Sequence, residues 1–132
     1  MEAKFEDLIG KTIYAIQGGK GYGELIFQCR DEKGEFRDYK MYHSQDCCES
    51  VYVEDICGDL SDLLNTSVLK ASEDSSDKDP ESPISADIVL SRYRESFTWT
   101  FYNISTIKGG VTIRWYGESN GYYSESVDFI EI

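Results

Sequence analysis

The strictest constraint in the sequence is a run of alternating apolar and polar side chains in its last third. Residues 96–102 read Ser-Phe-Thr-Trp-Thr-Phe-Tyr. Successive side chains of a strand point to opposite faces of a sheet, so this alternation predicts a half-buried β-strand. Lys108–Gly110 predicts a turn, Val111–Tyr116 a partner strand, and Asn120-Gly121 a second tight turn that needs positive φ angles. Residues 122–130 would then close an antiparallel meander.

The same alternation divides these two strands into an apolar face and a polar face. We expect the apolar face to pack in the core, and it comprises Phe97, Trp99, Phe101, Val111, Ile113 and Trp115. The opposite face would present Thr98, Thr100, Tyr102, Thr112, Arg114 and Tyr116. Arginine binds phosphate through paired hydrogen bonds and aromatic rings stack on bases, so the polar face is a candidate recognition surface. A solvated, tyrosine-rich strand explains the same composition equally well.

The rest of the chain also reads mainly as short strands. In chain order we predict a helical turn at 5–10, strands at 11–17, 24–30, 35–42 and 50–56, a helix at 59–65, a strand at 66–71 and an exposed acidic loop at 72–87. The first three strands form a meander. The fold class is therefore β-dominated α+β, a single domain over 1–132. Its two antiparallel meanders would form a bent sheet or open barrel with one or two short helices.

The charge of the chain excludes one broad class of function. The 132 residues carry a formal net charge of −12, whereas general nucleic-acid binding needs a basic surface. No apolar run is long enough to span a bilayer, and the first residues lack the pattern of a signal peptide. We therefore expect a soluble intracellular protein that contacts neither nucleic acid nor membrane directly.

Reactive side chains concentrate at residues 43–49, His-Ser-Gln-Asp-Cys-Cys-Glu. Zinc sites need two well-separated ligand pairs, so this segment predicts no metal site. We favour a structural corner, in which the His43 ring is buried and Asp46 and Glu49 bond backbone amides. Cysteines in a reducing compartment behave as small buried hydrophobes, and we predict this for Cys29, Cys47, Cys48 and Cys57.

The glycine-rich segment Gly18–Gly23 resembles a phosphate-binding loop in composition alone. A P-loop requires Gly-Lys-Ser/Thr after a four-residue spacer and then a helix, whereas a strand is predicted here. We therefore interpret the segment as a flexible hairpin loop.

Four segments together resemble a small phage-encoded domain family. They are His43-x-Gln-Asp-Cys-Cys-Glu49, Glu54-Asp-Ile-x-Gly-Asp-Leu60, Thr98-Trp-Thr-Phe-Tyr102 and Arg114-Trp-Tyr-Gly-x-Ser-Asn-Gly-Tyr-Tyr-Ser124. That family is similar to phage proteins that defeat the bacterial Thoeris defence system. The resemblance implies a β-rich homo-oligomer, not an enzyme, that sequesters cyclic ADP-ribose isomers and, in some relatives, cyclic oligonucleotides.

The resemblance, taken with the candidate recognition surface, thus implies a phage anti-defence protein of the host cytoplasm that binds a nucleotide-derived second messenger without a cofactor and without cleaving it. The predicted ligand-binding residues are Arg30 and Arg114 as phosphate forks, Trp99, Tyr116 and Tyr122 as stacking residues, Thr100 and Asn120 as polar contacts, and Arg92 and Arg94 as further cations. Two alternatives stay open. One is an acidic, DNA-mimicking inhibitor of a host nucleic-acid-binding enzyme, and the other is a small hydrolase that uses Cys47 or Cys48 with His43.

Overall fold

The structure is a computed structural model that describes residues 2–44, 49–76, 96–119 and 124–132. Its elements are η1 (Phe5–Leu8), β1 (Thr12–Gln17), β2 (Glu24–Arg30), β3 (Phe36–Tyr42), β4 (Glu49–Cys57), η2 (Leu60–Leu63), β5 (Lys70–Ser76), β6 (Ser96–Thr106), β7 (Gly109–Ser119) and β8 (Asp128–Glu131). The strands form two antiparallel four-stranded sheets, ordered β1-β2-β3-β8 and β4-β7-β6-β5. The β-dominated class is confirmed, and the short helices η1 and η2 are 3-10 turns. Neither of these described helices is long and apolar enough to cross a membrane.

The first sheet contains the predicted N-terminal meander. Strands β2 and β3 pair in continuous register, and the pairing ends with Arg30 opposite Phe36. The turn between them is fixed by Asp31, whose Oδ1 accepts hydrogen bonds from the backbone N–H groups of Lys33 and Glu35, both at 2.9 Å. Such bonds between an aspartate and its own turn are why aspartate is favoured there. The turn therefore sets which side chains of β2 and β3 face each other.

The last strand joins the first sheet, not the second as predicted. Residues Asp128–Glu131 pair with β3, and Phe129 lies opposite Met41. Strand β7 is flanked by β4 and β6, so both of its edges are occupied and it cannot receive a further strand. The chain crosses back to the first sheet, where the Phe129 ring stacks on Tyr39 with centroids 5.3 Å apart.

The glycine-rich loop between β1 and β2 is bonded to the second sheet. The Gly21 N–H group donates to the Val53 carbonyl at 2.7 Å, and the Val53 N–H group donates to the Tyr22 carbonyl at 2.9 Å. Gly18 and Gly21 have φ angles of 101° and 85°, which glycine adopts without steric cost. The hairpin prediction is confirmed, and the loop is in addition tied to strand β4.

One hydrophobic core takes side chains from both sheets. Trp115 of β7 donates its ring N–H to the Met41 sulfur of β3 at 2.9 Å. Phe5 of η1 packs against both sheets, with its ring centroid 4.9 Å from Tyr102 and 5.6 Å from Phe129. All five side chains are buried. Burying a large apolar side chain stabilises a fold by about 1.5–3 kcal/mol, so these contacts hold the two sheets together.

The predicted face assignment of β6 is wrong. Strands β6 and β7 pair with Trp99 opposite Tyr116 and with Tyr102 opposite Ile113. Tyr102 and Ile113 lie in the core, whereas Trp99, Tyr116 and Arg114 share the other face of the sheet. Both faces of β6 carry aromatic residues, and a one-residue change of register exchanges the faces. Phe97 and Phe101 therefore lie with Trp99 on the outer face of the sheet. Thr98 and Thr100 lie with Tyr102 on the face toward the core.

Two smaller predictions also change. Strand β5 extends through Ser76 because its backbone pairs with β6, so residues 72–76 of the predicted acidic loop are strand. Residues 77–87 of that loop lie outside the described residues. Cys29 is buried as predicted, but Cys57 is exposed at the end of β4, and Cys47 and Cys48 lie outside the described residues.

Gly58 provides a test of the close approach between the end of β4 and the start of β7. Its φ angle is 110°, and an added Cβ would lie 2.7 Å from the Gly110 carbonyl oxygen. We expect Gly58→Ala to lower the free energy of unfolding by about 1–3 kcal/mol because of backbone strain and this contact. Urea denaturation followed by tryptophan fluorescence measures the change.

Gly23→Ala is the matched control for this substitution. A Cβ at Gly23 meets no atom within 4 Å, and we expect a change in unfolding free energy below about 1 kcal/mol. Equal midpoints for Gly58→Ala and the unmodified protein would contradict the approach of the two strands.

Candidate functional site

Arg114 of β7 forms a buried ion-pair network with β4. Its Nε donates to the Glu54 carboxylate, and its Nη2 lies 3.6 Å from an Asp55 carboxylate oxygen. The pairing of β4 with β7 shifts between Val53 and Asp55, so Glu54 occupies an irregularity of the β-bulge kind. Such a bulge redirects side chains, and here two consecutive carboxylates reach the same arginine.

Two aromatic rings complete what we call the Arg114 cluster, namely Arg114, Glu54, Asp55, Trp99 and Tyr116. The Trp99 and Tyr116 rings lie with centroids 4.6 Å apart, and the Arg114 guanidinium carbon lies 5.5 Å from the Trp99 ring. Arg114, Glu54 and both rings are buried. The structure therefore brings together three predicted ligand-binding residues, Arg114, Trp99 and Tyr116, but in an enclosed setting.

The charge of Arg114 is compensated within the protein. Burial lowers the pKa of its guanidinium, but the hydrogen bond and charge of Glu54, with Asp55, outweigh burial and raise it. Leaving one partner of such a buried pair alone costs about 3–5 kcal/mol. A phosphate would have to displace carboxylates from Arg114 at a cost of this order. The geometry favours a structural role for this arginine.

Arg30 has the opposite environment, on the outward face of the first sheet. It is exposed, and its guanidinium carbon lies 4.7 Å from the Phe36 ring centroid and 5.7 Å from the Tyr14 ring centroid. The two rings meet edge to face, with centroids 5.8 Å apart. We call these three residues the Arg30 platform. Phe36 is 64% exposed, so an aromatic surface lies open beside the cation.

The hydrogen-bonding edge of Arg30 is available to a ligand. In the described part of the chain, no carboxylate lies within ion-pair distance of Arg30. Contact with aromatic faces orients a guanidinium while its N–H groups still point outward. The sequence singled out Arg30 but missed Tyr14 and Phe36. The short turn after β2 could have revealed Phe36, because it places that residue directly across from Arg30.

The other predicted site residues do not join either group. Thr100 is buried and faces the core, away from Arg114. Arg92, Arg94, Asn120 and Tyr122 lie outside the described residues. Glu54 and Asp55 were also missed as partners of Arg114. Their only sequence signal is a pair of acids inside a β-branched strand, which indicates no partner.

His43 forms a buried pair with Glu49, and bonding of Glu49 to backbone amides stays a prediction. The His43 Nδ1 lies 2.7 Å from the Ser126 carbonyl oxygen, and Nε2 lies 3.0 Å from a Glu49 carboxylate oxygen. A carbonyl oxygen can only accept, so Nδ1 carries a proton. Burial of the His43 ring is confirmed, and Asp46 lies outside the described residues. The pair joins the end of β3 to the start of β4 and to the segment before β8.

Cys29 provides no activated thiol. Burial, followed by the charge of Asp38, raises the pKa of the Cys29 thiol to about 12. A thiol must ionise to act as a nucleophile or metal ligand. Among the described residues, no three His, Cys, Asp or Glu side chains are grouped closely enough to hold a metal ion.

The chain matches one family over most of its length. A domain of unknown function (DUF7448) matches residues 6–129, and the chain therefore belongs to that family. No match was found among curated proteins or among solved structures.

A double-mutant cycle tests the Arg114 cluster. We expect Arg114→Met to lower the unfolding free energy by about 3–5 kcal/mol, because it leaves the Glu54 carboxylate buried without its arginine. Combining it with Glu54→Met should recover much of that loss, since both charges are then removed. Chemical denaturation of the two single variants and the double variant measures the coupling.

Arg37→Met is the matched control for the cycle. Arg37 also contacts carboxylates, Asp31 and Glu131, but its side chain is 42% exposed. Exposed pairs contribute about 0–1 kcal/mol. Strictly additive losses in the Arg114 and Glu54 variants would show that the two charges do not stabilise each other.

Proposed function

We propose that this family member binds a phosphorylated, nucleotide-derived signalling molecule and holds it without converting it, with the Arg30 platform as part of the binding surface. The observation that carries the proposal is an exposed arginine oriented by two aromatic rings and not neutralised by a neighbouring described carboxylate. Nucleotides combine an anionic phosphate with a flat base. The platform offers a complementary group for each.

The chemistry of the platform suits both parts of such a ligand. The guanidinium N–H groups can donate two parallel hydrogen bonds to phosphate oxygens. The exposed Phe36 ring, on the neighbouring strand, can stack on a base, and such stacking contributes about 1–3 kcal/mol per base. Both side chains rise from paired strands, so the surface is formed before the ligand arrives and little ordering is required.

Two observations support binding without conversion. The Cys29 thiol has a raised pKa and is buried, so it is a poor nucleophile. The His43 Nδ1 is committed to the Ser126 carbonyl and Nε2 faces Glu49, so the ring has no free position for a substrate or thiol. The resemblance to anti-Thoeris proteins points in the same direction, because those proteins sequester their ligand intact.

The same resemblance supplies a specific ligand class and a biological role for the proposal. The ligand would be a cyclic ADP-ribose isomer or a cyclic oligonucleotide, and the protein would act in the cytoplasm of an infected host cell as an anti-defence protein. A platform on one sheet face covers one side of a ligand. A second copy of the chain would close the other side, so we propose a homo-oligomer with shared sites.

Ligand binding by variants of Arg30 tests the proposal. We expect a cyclic ADP-ribose isomer or a cyclic dinucleotide to raise the melting temperature and to bind in calorimetry. Arg30→Gln should weaken that binding about 10–100-fold, the value of a charge-assisted hydrogen bond of 1.5–3 kcal/mol. Arg30→Lys should also bind the ligand more weakly than the unmodified protein does. It keeps the positive charge but loses the paired N–H donors of the guanidinium.

Lys40→Gln is the matched control, since it removes one positive charge from the same sheet face. Lys40 pairs with Glu24 at 3.2 Å, and we expect the affinity to change less than about 3-fold. Mass spectrometry of ligand released by heat should return the original mass. A new mass, or unchanged affinity in Arg30→Gln, would contradict the proposal.

A further inference from the structure

We infer that the Arg30 platform continues into a pair of glutamines, Gln17 and Gln28, that binds the hydrogen-bonding edge of the base of a nucleotide. We call these two residues the amide pair. The inference rests on the proposed function, because it assigns the base end of the ligand whose phosphate Arg30 would bind. Gln17 Nε2 donates a hydrogen bond to Gln28 Oε1 at 3.2 Å, from strand β1 to strand β2. The two side chains therefore hold each other in place on the sheet.

The amide pair lies beside the platform on the outward face of the first sheet. Gln28 precedes Arg30 by two positions on β2, so both side chains point to the same face, about 7 Å apart along the strand. The intervening residues of the strand point inward, and Leu25, Phe27 and Cys29 are buried. One mononucleotide is long enough to contact both positions, because its phosphate and its base lie on opposite sides of one sugar.

A short side chain separates the platform from Gln17 on strand β1. Ala15 lies directly opposite Gln28, and it stands between Tyr14 and Gln17 in the sequence. Paired residues of neighbouring strands share a face, so the Ala15 methyl group also points outward. It provides a low, apolar floor between the Tyr14 ring and the amide pair. A flat ring can lie on such a floor.

Each glutamine of the amide pair retains one hydrogen-bonding group for a ligand. Among the described residues, the Gln28 amino group and the Gln17 carbonyl oxygen have no partner. Exchanging nitrogen and oxygen in both amides would leave the same two groups, one donor and one acceptor, in exchanged positions. The amide pair therefore presents a donor beside an acceptor in either arrangement.

A donor beside an acceptor matches the edge of a base. Adenine carries an amino donor next to a ring-nitrogen acceptor, and glutamine amides bind this pattern with two hydrogen bonds. Asp38 lies opposite Gln28 on β3 and adds a further acceptor. The Cys29 N–H group donates to Asp38 Oδ1 at 3.3 Å, and Oδ2 has no partner in the part of the chain that the structure describes. This carboxylate repels a phosphate, so the phosphate takes the Arg30 end and the base takes the Gln28 end.

NMR titrations at low ionic strength test the amide pair with three probes. They are adenosine 5′-monophosphate, purine riboside 5′-monophosphate, which lacks the amino group, and ribose 5-phosphate, which lacks the base. We expect the unmodified protein to bind the adenosine probe about 2–10-fold more tightly than the purine riboside probe, as for one neutral hydrogen bond. The side-chain amide signals of Gln17 and Gln28 should shift with the adenosine probe and stay in place with ribose 5-phosphate.

Gln28→Ala should abolish the preference for the adenosine probe. It removes the donor and leaves the Gln17 amide without the bond that orients it. The affinity for ribose 5-phosphate should stay within about 2-fold, because exposed polar substitutions away from the phosphate change little. Asn103→Ala is the matched control, since Asn103 is also an exposed amide bonded across strands, to Thr112 at 2.7 Å, but lies on the second sheet. The preference should persist in that variant.

Arg30→Gln separates this inference from the function on which it rests. Weakening of all three probes in Arg30→Gln, with a preference for the adenosine probe that persists in Gln28→Ala, would overturn the amide pair and leave the phosphate site intact. Equal losses for all three probes in Gln28→Ala would assign Gln28 a structural role and overturn the inference too. Unchanged affinities in Arg30→Gln, or no binding of any probe, would contradict the nucleotide site itself and the inference with it.

Discussion

The register between β6 and β7 is the constraint on which the rest of the structure depends. Eleven residue pairs join these strands, from Ser96 opposite Ser119 to Thr106 opposite Gly109. Because side chains alternate, this register sends Trp115 into the core and Arg114 to the other face. A slip of one residue along β7 would place a guanidinium among the core side chains. The packing of Trp115 on Met41 and the pairing of Arg114 with Glu54 therefore select the same alignment.

Arg114 and Arg30 show how environment decides what a side chain can do. Both are predicted from the sequence to bind phosphate. Arg114 is enclosed with two carboxylates and an indole ring, so its charge is compensated by groups of the protein itself. Arg30 lies on an outward face between two rings, where its charge meets solvent. The N–H groups of Arg114 are bonded to carboxylates of the protein, whereas those of Arg30 can still bond a ligand.

Local patterns in the sequence predicted much of the fold. Strands β1 to β3 and the short helix near residue 59 follow from the local sequence, and the Asp59 side chain accepts a hydrogen bond from the Ser61 N–H group at 2.9 Å. Val111, Ile113 and Trp115 were placed correctly in the core, because only one face of β7 is apolar there. The faces of β6 were assigned wrongly, because both faces of that strand carry large apolar residues. Phe97, Trp99 and Phe101 lie on one face, and Tyr102 and Ile104 lie on the other.

Long-range partners could not be predicted in the same way. Glu54 lies 60 positions from Arg114 in the sequence, and the bulge that aims it has no local signature. The pairing of β8 with β3 likewise depends on β7 already having two neighbours. For the candidate site, Arg30 was recognised but its rings were not. Phe36 follows from the hairpin register, whereas Tyr14 depends on an irregularity of β1 that the sequence does not reveal.

The glycine-rich loop has a consequence for how copies of this chain can meet. By exchanging two backbone hydrogen bonds with Val53, the loop occupies part of the outer edge of β4, which would otherwise offer unpaired N–H and C=O groups to another molecule. Exposed strand edges invite uncontrolled end-to-end pairing of sheets, and proteins commonly cover them. Residues other than glycine would be strained at positions 18 and 21, because the backbone adopts positive φ angles there. Gly18-Gly-Lys-Gly-Tyr-Gly23, which resembles a nucleotide loop in composition, thus covers part of an open strand edge and leaves less of that edge for pairing with another chain.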